Sequence, residues 1–145
     1  MTRNMTGDPP VTPLMATIPS DYADLLDKTT FWHIATLGPD GQLQSTPVWG
    51  GWRDGHFVFS LTKGRQKYDN LVRNPTIAIS GIDPDNAYRY LEMRGAVVSI
   101  DDDSSNTFID SMAKKYMDVD SYPFHQPGDQ RVVMVVEVTH TTKMG

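Results

Sequence analysis

The chain has 145 residues, a formal net charge of −5 from 13 Lys and Arg against 18 Asp and Glu, and a hydrophobic content of 39%. These values predict one ordinary globular domain with a core of its own. Cys is absent, which excludes disulfides, thiolate metal sites and cysteine nucleophiles. The acidic balance argues against a general nucleic-acid or membrane-surface binder, because phosphate groups attract positive fields.

The first 17 residues contain Pro9, Pro10 and Pro13 and no unbroken apolar run. A secretory signal needs about 7–15 consecutive apolar residues, and a membrane span needs about 18. We therefore expect a flexible leader over residues 1–17, a single domain over residues 18–145, and a cytoplasmic protein.

The remainder of the chain alternates between strand and helix patterns. Ser20 can cap a short helix that runs to Lys28, with Tyr22, Leu25 and Leu26 at helical spacing. The predicted strands are rich in β-branched and aromatic residues. They are Phe31 to Leu37, Gln42 to Arg53, His56 to Leu61, Thr76 to Ile82, Arg89 to Ile100 and Arg131 to Met144.

Two further helices interrupt these strands. One follows the third strand and stops at Pro75; the other is predicted to open with Asp101 to Ser104 and to continue through Tyr116, followed by a loop from Asp118 to Gln130. Pro47 lacks an amide donor, so it must lie at an edge or a bulge of its strand. Six strands with inserted helices predict a mainly β, α+β fold: an antiparallel barrel.

The first candidate site is the start of the helix after the third strand. Lys63, Arg65, Lys67 and Arg73 less Asp69 give this segment a net charge of +3, so the rest of the chain carries −8. A helix N-terminus binds phosphate readily, and basic side chains reinforce it. The preceding hydroxyls of Ser60 and Thr62 add donors, although the same spacing also fits a solvated helix face.

The second candidate site is the polar run from Gln44 to Trp49. Gln44, Ser45 and Thr46 offer amide, hydroxyl and carbonyl groups to the edge of a planar heterocycle. After them come Pro47, Val48 and Trp49, of which the indole is a flat apolar wall. The same run also fits a half-exposed edge strand whose hydroxyls face water.

Other reactive residue types form no catalytic pattern. The four histidines, at positions 33, 56, 125 and 140, have no metal-ligand spacing, and nucleotide-binding and nucleophile motifs are missing. Asp101, Asp102 and Asp103 fit a helix N-terminus better than a cation site. We therefore predict neither a catalytic side chain nor a metal site.

Three segments together resemble one superfamily. They are LLDKTTFWHIATLGPDGQLQSTPVWGGW, HFVFSLTKGRQKYDNLVRNPTIAIS and RYLEMRGAVVSIDDD. In order and spacing they resemble the pyridoxamine 5′-phosphate oxidase-like split β-barrel superfamily. Within it they are most similar to the actinobacterial flavin/deazaflavin oxidoreductases that use coenzyme F420. The likeness runs from about Pro19 to His140.

The resemblance implies a homodimer of six-stranded, FMN-binding-type split barrels with cofactor grooves between the subunits. It also implies that Arg65 and Lys67 hold the cofactor phosphate beside Lys63, Thr62 and Ser60. By the same likeness, residues 44–49 line the ring. The expected activity is hydride transfer from the reduced deazaflavin to an electrophilic small molecule, such as a quinone or an enone.

Two alternatives remain open at this stage. One is an FMN-dependent oxidoreductase of the same fold, since both cofactors carry a phosphate and a tricyclic ring. The other is a non-enzymatic carrier of the cofactor or of haem, because a carrier would also lack catalytic side chains. In each case the partner is a small molecule, and neither nucleic acid nor a membrane is expected.

Overall fold

The computed structural model describes residues 16–145, so most of the predicted leader lies outside the described residues. Six strands and two α-helices follow a short 3-10 helix at Ala23–Leu26. The strands are β1 (Phe31–Leu37), β2 (Leu43–Arg53), β3 (His56–Thr62), β4 (Thr76–Asp83), β5 (Asn86–Asp102) and β6 (Arg131–Met144). The helices are α1 (Gln66–Arg73) and α2 (Thr107–Met117).

The six strands form a closed antiparallel barrel in the order β1-β2-β3-β6-β5-β4. The predicted mainly β split barrel with inserted helices is confirmed. Alternating burial along β1 directs Trp32, Ile34 and Thr36 inward, as the period-two pattern of a strand requires. Among the described residues, no helix combines the length and apolar character needed to cross a membrane.

Trp32 fills the barrel interior and is fully buried, with its ring edge-to-face against Phe57 at 5.5 Å. Two glycines leave room for these rings. A Cβ on Gly81 would lie 2.5 Å from the Trp32 ring, and one on Gly50 would lie 2.4 Å from the Phe57 ring. The large aromatic core therefore depends on small residues in the neighbouring strands.

Two predicted helix starts are wrong. The first helix is a single 3-10 turn preceded by Tyr22, which makes no side-chain cap, so Ser20 does not cap it. Asp101 and Asp102 extend β5 and do not open α2. Only Asp103 has the predicted helix-terminal role, because its carboxylate accepts hydrogen bonds from the amides of Phe108 and Ile109 at 2.9 and 3.0 Å.

Helix α1 also starts later than the basic segment from Lys63 to Arg73 suggests. Ser60 to Thr62 belong to β3, and α1 begins only at Gln66, with Arg65 in extended conformation before it. The loop predicted between Asp118 and Gln130 is confirmed, as is the edge position of Pro47, whose segment pairs with β1 alone. The basic segment is thus a strand end and a turn that lead into a helix of 8 residues.

Candidate functional site

The candidate site lies where β2 and β3 separate. β2 pairs with β3 only from Gly50 to Arg53, whereas residues 43–49 of β2 pair with β1 alone. Beyond that point Ser60, Leu61 and Thr62 of β3 pair with β6 alone. A strand with one neighbour has a free edge, so this separation opens the wall of the barrel. A cavity of about 330 Å³ occupies the opening.

Seven of the predicted cofactor-binding residues line this cavity. They are Pro47, Val48, Trp49, Ser60, Thr62, Arg65 and Lys67. The two candidate sites of the sequence, the polar strand and the basic segment, therefore meet in one cavity. That these residues bind a cofactor remains a prediction.

Four predicted residues lie outside the lining. Thr46 contacts the cavity indirectly, through a hydrogen bond from Lys67, and Ser45 is exposed. Lys63 lines an adjoining polar cavity of about 370 Å³. The side-chain oxygen of Gln44, Oε1, is buried and has no hydrogen-bond partner within the described residues. These four surround the cavity without forming its wall.

Lys67 is the most buried cation of the lining, with 7% of the residue exposed. Its Nζ donates to Thr46 Oγ1 at 2.6 Å. Burial lowers the pKa of Lys67, and the positive charge of Arg65 lowers it further. An anion bound beside the ammonium group would remove both penalties.

Arg65 lies at the mouth of the cavity and is exposed. It precedes α1 and makes no side-chain cap to that helix. Its guanidinium is a planar fork suited to phosphate or carboxylate oxygens. Together Arg65 and Lys67 place one exposed and one buried positive charge at the same end of the cavity.

Aromatic side chains form another part of the cavity wall. The Trp49 ring is stacked on Tyr116 at 5.2 Å with an interplanar angle of 10°, and Tyr122 meets Trp49 edge-on at 5.9 Å. The Tyr116 hydroxyl donates to the carbonyl of Thr30 at 2.5 Å, and burial raises the Tyr116 pKa. This wall is fixed in place by α2 and is suited to a flat ring.

Arg131, Tyr122 and Phe124, which are not among the predicted cofactor-binding residues, also line the cavity. Arg131 opens β6 opposite Thr62, and its guanidinium carbon lies 4.6 Å from the centre of the Tyr122 ring. Tyr122 and Phe124 come from the loop between α2 and β6. An aromatic cluster inside a Pro-containing loop was the only local signal, and nothing near Arg131 links it to β3.

The charge of this cavity distinguishes it from a larger cavity of the protein. Within the described residues, its lining includes Arg65, Lys67 and Arg131 and no carboxylate. The larger cavity, about 690 Å³, includes Asp101 to Asp103 beside Arg53 and Lys115. Residues 16–145 contain no group of three or more His, Asp or Glu able to hold a metal ion. The smaller cavity is the better candidate for an anionic ligand with a flat ring.

Comparisons with known proteins agree with this geometry. The family model described as pyridoxamine 5′-phosphate oxidase matches residues 18–145. A solved structure described as an F420 reductase is 38% identical, with a TM-score of 0.77 over 86% of this chain and 98% of that one. No curated protein matches the chain.

Two more distant structures share the fold. Rv2991, a conserved hypothetical protein of Mycobacterium tuberculosis, is 22% identical with a TM-score of 0.68 over 90% of this chain and 86% of that one. HupZ of Group A Streptococcus is 19% identical with a TM-score of 0.61 over 88% of this chain and 94% of that one. The family match covers the whole barrel, and the chain is therefore a member of the pyridoxamine 5′-phosphate oxidase family.

Proposed function

We propose that the protein is an oxidoreductase that uses the deazaflavin coenzyme F420 to transfer hydride to an electrophilic small molecule, such as a quinone or an enone. The observation that carries the proposal is the cavity between β2 and β3. It combines three cations, Arg65, Lys67 and Arg131, with a flat aromatic wall and no carboxylate among its described lining residues. A phosphorylated cofactor with a planar ring has the complementary chemistry.

The donor set fits a phosphate group. An ammonium group has three hydrogens to donate, and the described contacts of Lys67 use one of them, toward Thr46. Arg65 is exposed at the same end and makes no cap to α1. We assign the phosphate to Arg65 and Lys67, with Ser60 and Thr62 beside them.

The remaining predicted residues are assigned to the ring and to the rest of the cofactor. Pro47 to Trp49 form the wall for the ring, and the unpaired Gln44 oxygen is a buried acceptor for a polar edge. Lys63, in the adjoining cavity, extends the positive path toward an anionic tail. When bound, the cofactor supplies the hydride, and the protein supplies binding, orientation and exclusion of water.

Support for F420 comes from the F420 reductase that is 38% identical over most of both chains. FMN is the alternative, because the family description names a pyridoxamine 5′-phosphate oxidase and the cavity chemistry suits both cofactors. The proposal includes a cytoplasmic homodimer. The exposed apolar side chains of Phe31, which lines the cavity, and Leu43, at the start of β2, support an assembled state, which light scattering of the purified protein would test.

Parallel fluorescence titrations with F420 and with FMN test the cofactor. We expect F420 to bind more tightly; tight FMN binding with none for F420 would overturn this assignment. Turnover tests the activity: reduced F420 is mixed with a quinone or an enone, with and without protein. A reductase accelerates oxidation of the cofactor, whereas a carrier protects it, and protection would contradict the proposed reaction.

A further inference from the structure

Among the arginines that the structure describes, Arg131 alone has a buried Nε atom without an acceptor. Its side chain is only 10% exposed, and its Nη1 donates to Ser60 Oγ at 3.1 Å. The nearest carboxylate, that of Asp129, is 4.0 Å away. The Nε atom is buried and has no acceptor within the described residues. A guanidinium carries five N–H donors, so this one is under-satisfied in a place that water reaches poorly.

The free donors of Arg131 lie beside the cavity. Arg131 lies in the lining of the cavity that also contains Arg65 and Lys67, and Ser60 connects it to the predicted phosphate end. It also borders the adjoining polar cavity that contains Lys63. Because Asp102 and Asp129 also line that adjoining cavity, the buried guanidinium is placed to meet an anion that enters the cavity between β2 and β3.

Tyr122 determines how the guanidinium is held. The guanidinium carbon lies over the Tyr122 ring, 4.6 Å from the ring centre, and the ring is itself held by Trp49, Phe124 and His125. A cation–π contact uses the charge of a guanidinium and needs none of its N–H donors. The aromatic loop therefore orients Arg131 without consuming its hydrogen bonds.

We infer that Arg131 is a third anion-binding side chain of the cavity, which receives a phosphate or carboxylate oxygen of the ligand, and that Tyr122 is its positioning residue. The inference rests on the proposed function for the identity of the ligand. The orphaned Nε, the contact with Ser60 and the cavity lining do not depend on that identity.

The experiment compares wild type with Arg131→Gln, Arg131→Lys and the control Arg94→Gln, which removes an exposed arginine paired with Glu92. Each is titrated with F420, with FMN, and with the deazaflavin riboside that lacks phosphate and tail. We expect Arg131→Gln to weaken binding of a charged cofactor by about 10- to 150-fold, the usual worth of a charged hydrogen bond. Arg131→Lys should recover part of the affinity, and Arg94→Gln should match wild type.

The ligands separate the two sources of the anion. Equal losses for FMN and F420 indicate the phosphate, and a loss for F420 alone indicates the carboxylate tail; both outcomes support the inference. Riboside binding should be unchanged in every variant, which a purely structural role of Arg131 would not allow. Unchanged F420 and FMN affinity in Arg131→Gln would overturn the inference while leaving the proposed function intact.

Failure of the proposed function gives a different result. If wild type binds none of the three ligands, inorganic phosphate replaces them, and thermal stabilisation by phosphate is measured. Stabilisation of wild type but not of Arg131→Gln supports the inference, and equal or absent stabilisation overturns it. Tyr122→Phe keeps the ring and should bind like wild type, whereas Tyr122→Leu should bind more weakly. Equal affinity in these two variants would refute the positioning role.

Discussion

Two groups of cations in the described part of the chain differ in what faces them. Lys28 and Arg89 lie among carboxylates: Lys28 is 2.9 Å from Asp83, while Arg89 is 2.7 Å from Asp83 and 2.6 Å from Asp24. In the cavity between β2 and β3, Arg65, Lys67 and Arg131 share a lining that includes no carboxylate in the described part of the chain. Cations paired at short range hold elements of the fold together. Within the described residues Arg65 and Lys67 have no carboxylate partner and Arg131 has one only at 4.0 Å, so these three are available to a ligand.

The two environments have opposite effects on the charged forms of their side chains. A hydrogen bond from the Asp85 amide, reinforced by Lys28 and Arg89, holds the pKa of Asp83 well below its usual range. At the cavity, burial and then the charge of Arg65 lower the pKa of Lys67. The first cluster stabilises its charges, and the second destabilises one of them until an anion arrives. Four experiments test this distinction.

The largest effect is expected on ligand affinity. Arg65→Ala and Lys67→Ala should each weaken F420 binding by about 10- to 150-fold, because each removes a charged hydrogen bond to the phosphate. Arg53→Ala is the matched control, since Arg53 pairs with Asp101 and lies outside the smaller cavity. Fluorescence titration measures the affinities. If Arg65→Ala and Lys67→Ala both bind F420 as tightly as wild type does, these residues do not bind the phosphate.

The next effect is expected on folding. Arg89→Met should lower the urea midpoint and leave F420 affinity unchanged, because Asp83, only 4% exposed, loses its guanidinium partner. Lys114→Met provides the contrast, since the Lys114–Asp118 pair at 2.9 Å is exposed and such pairs contribute little. An equal shift in the two variants would mean that the cluster around Asp83 has no special structural role.

The cluster around Asp83 should also affect how the stability of the protein depends on pH in acid. The pKa of Asp83 is lower in the folded protein than in the unfolded chain, where an Asp titrates near pH 3.9. Its contribution to stability is therefore fully present above about pH 5 and is lost as the pH falls below about 4. In Asp83→Asn the free energy of unfolding should vary less with pH in that range, as urea midpoints at successive pH values would show. The same pH dependence in Asp83→Asn and in wild type would contradict this role of Asp83.

The smallest effect is a gain in stability. Lys67→Met should raise the thermal midpoint slightly at neutral pH, because the folded protein no longer buries an ammonium group that the unfolded chain leaves in water. The gain should shrink as the pH rises through the lowered pKa of the folded lysine, and it should vanish above about pH 10.4, where the unfolded lysine has also lost its proton. A lower midpoint would mean that the hydrogen bond to Thr46 matters more to folding than desolvation does.

The strands and the two main candidate segments were predictable because their signals are local. β-branched alternation located β1 and β6 at the observed bounds, and the basic segment marked Arg65 and Lys67. The helix starts were less predictable, because a run of charged residues looks the same in a strand end and in a helix cap. Asp101 and Asp102 belong to β5 because β6 pairs with them through Val133 and Val132.

The role of Arg131 was not predictable from its neighbours in sequence. Its contacts come from β3, through the register that places Thr62 opposite Arg131, and from the loop residue Tyr122. A pairing between residues 69 positions apart has no signature in either segment alone. Two of the three cations of the cavity, Arg65 and Lys67, were therefore predictable from the sequence. The third, Arg131, is identified only by the fold, which brings β6 beside β3.

One part of β2 borders the cavity and another part packs in the barrel core, and this difference affects how the sequence can change during evolution. At its free edge the strand turns Pro47 outward and exposed, whereas Gly50, farther along, is buried against Phe57. Substitutions at outward positions can alter the cavity wall without repacking the barrel interior, because neighbouring residues of a strand point to opposite faces. One closed scaffold can thus accept many different pockets, and selection for a new substrate need not be selection against folding.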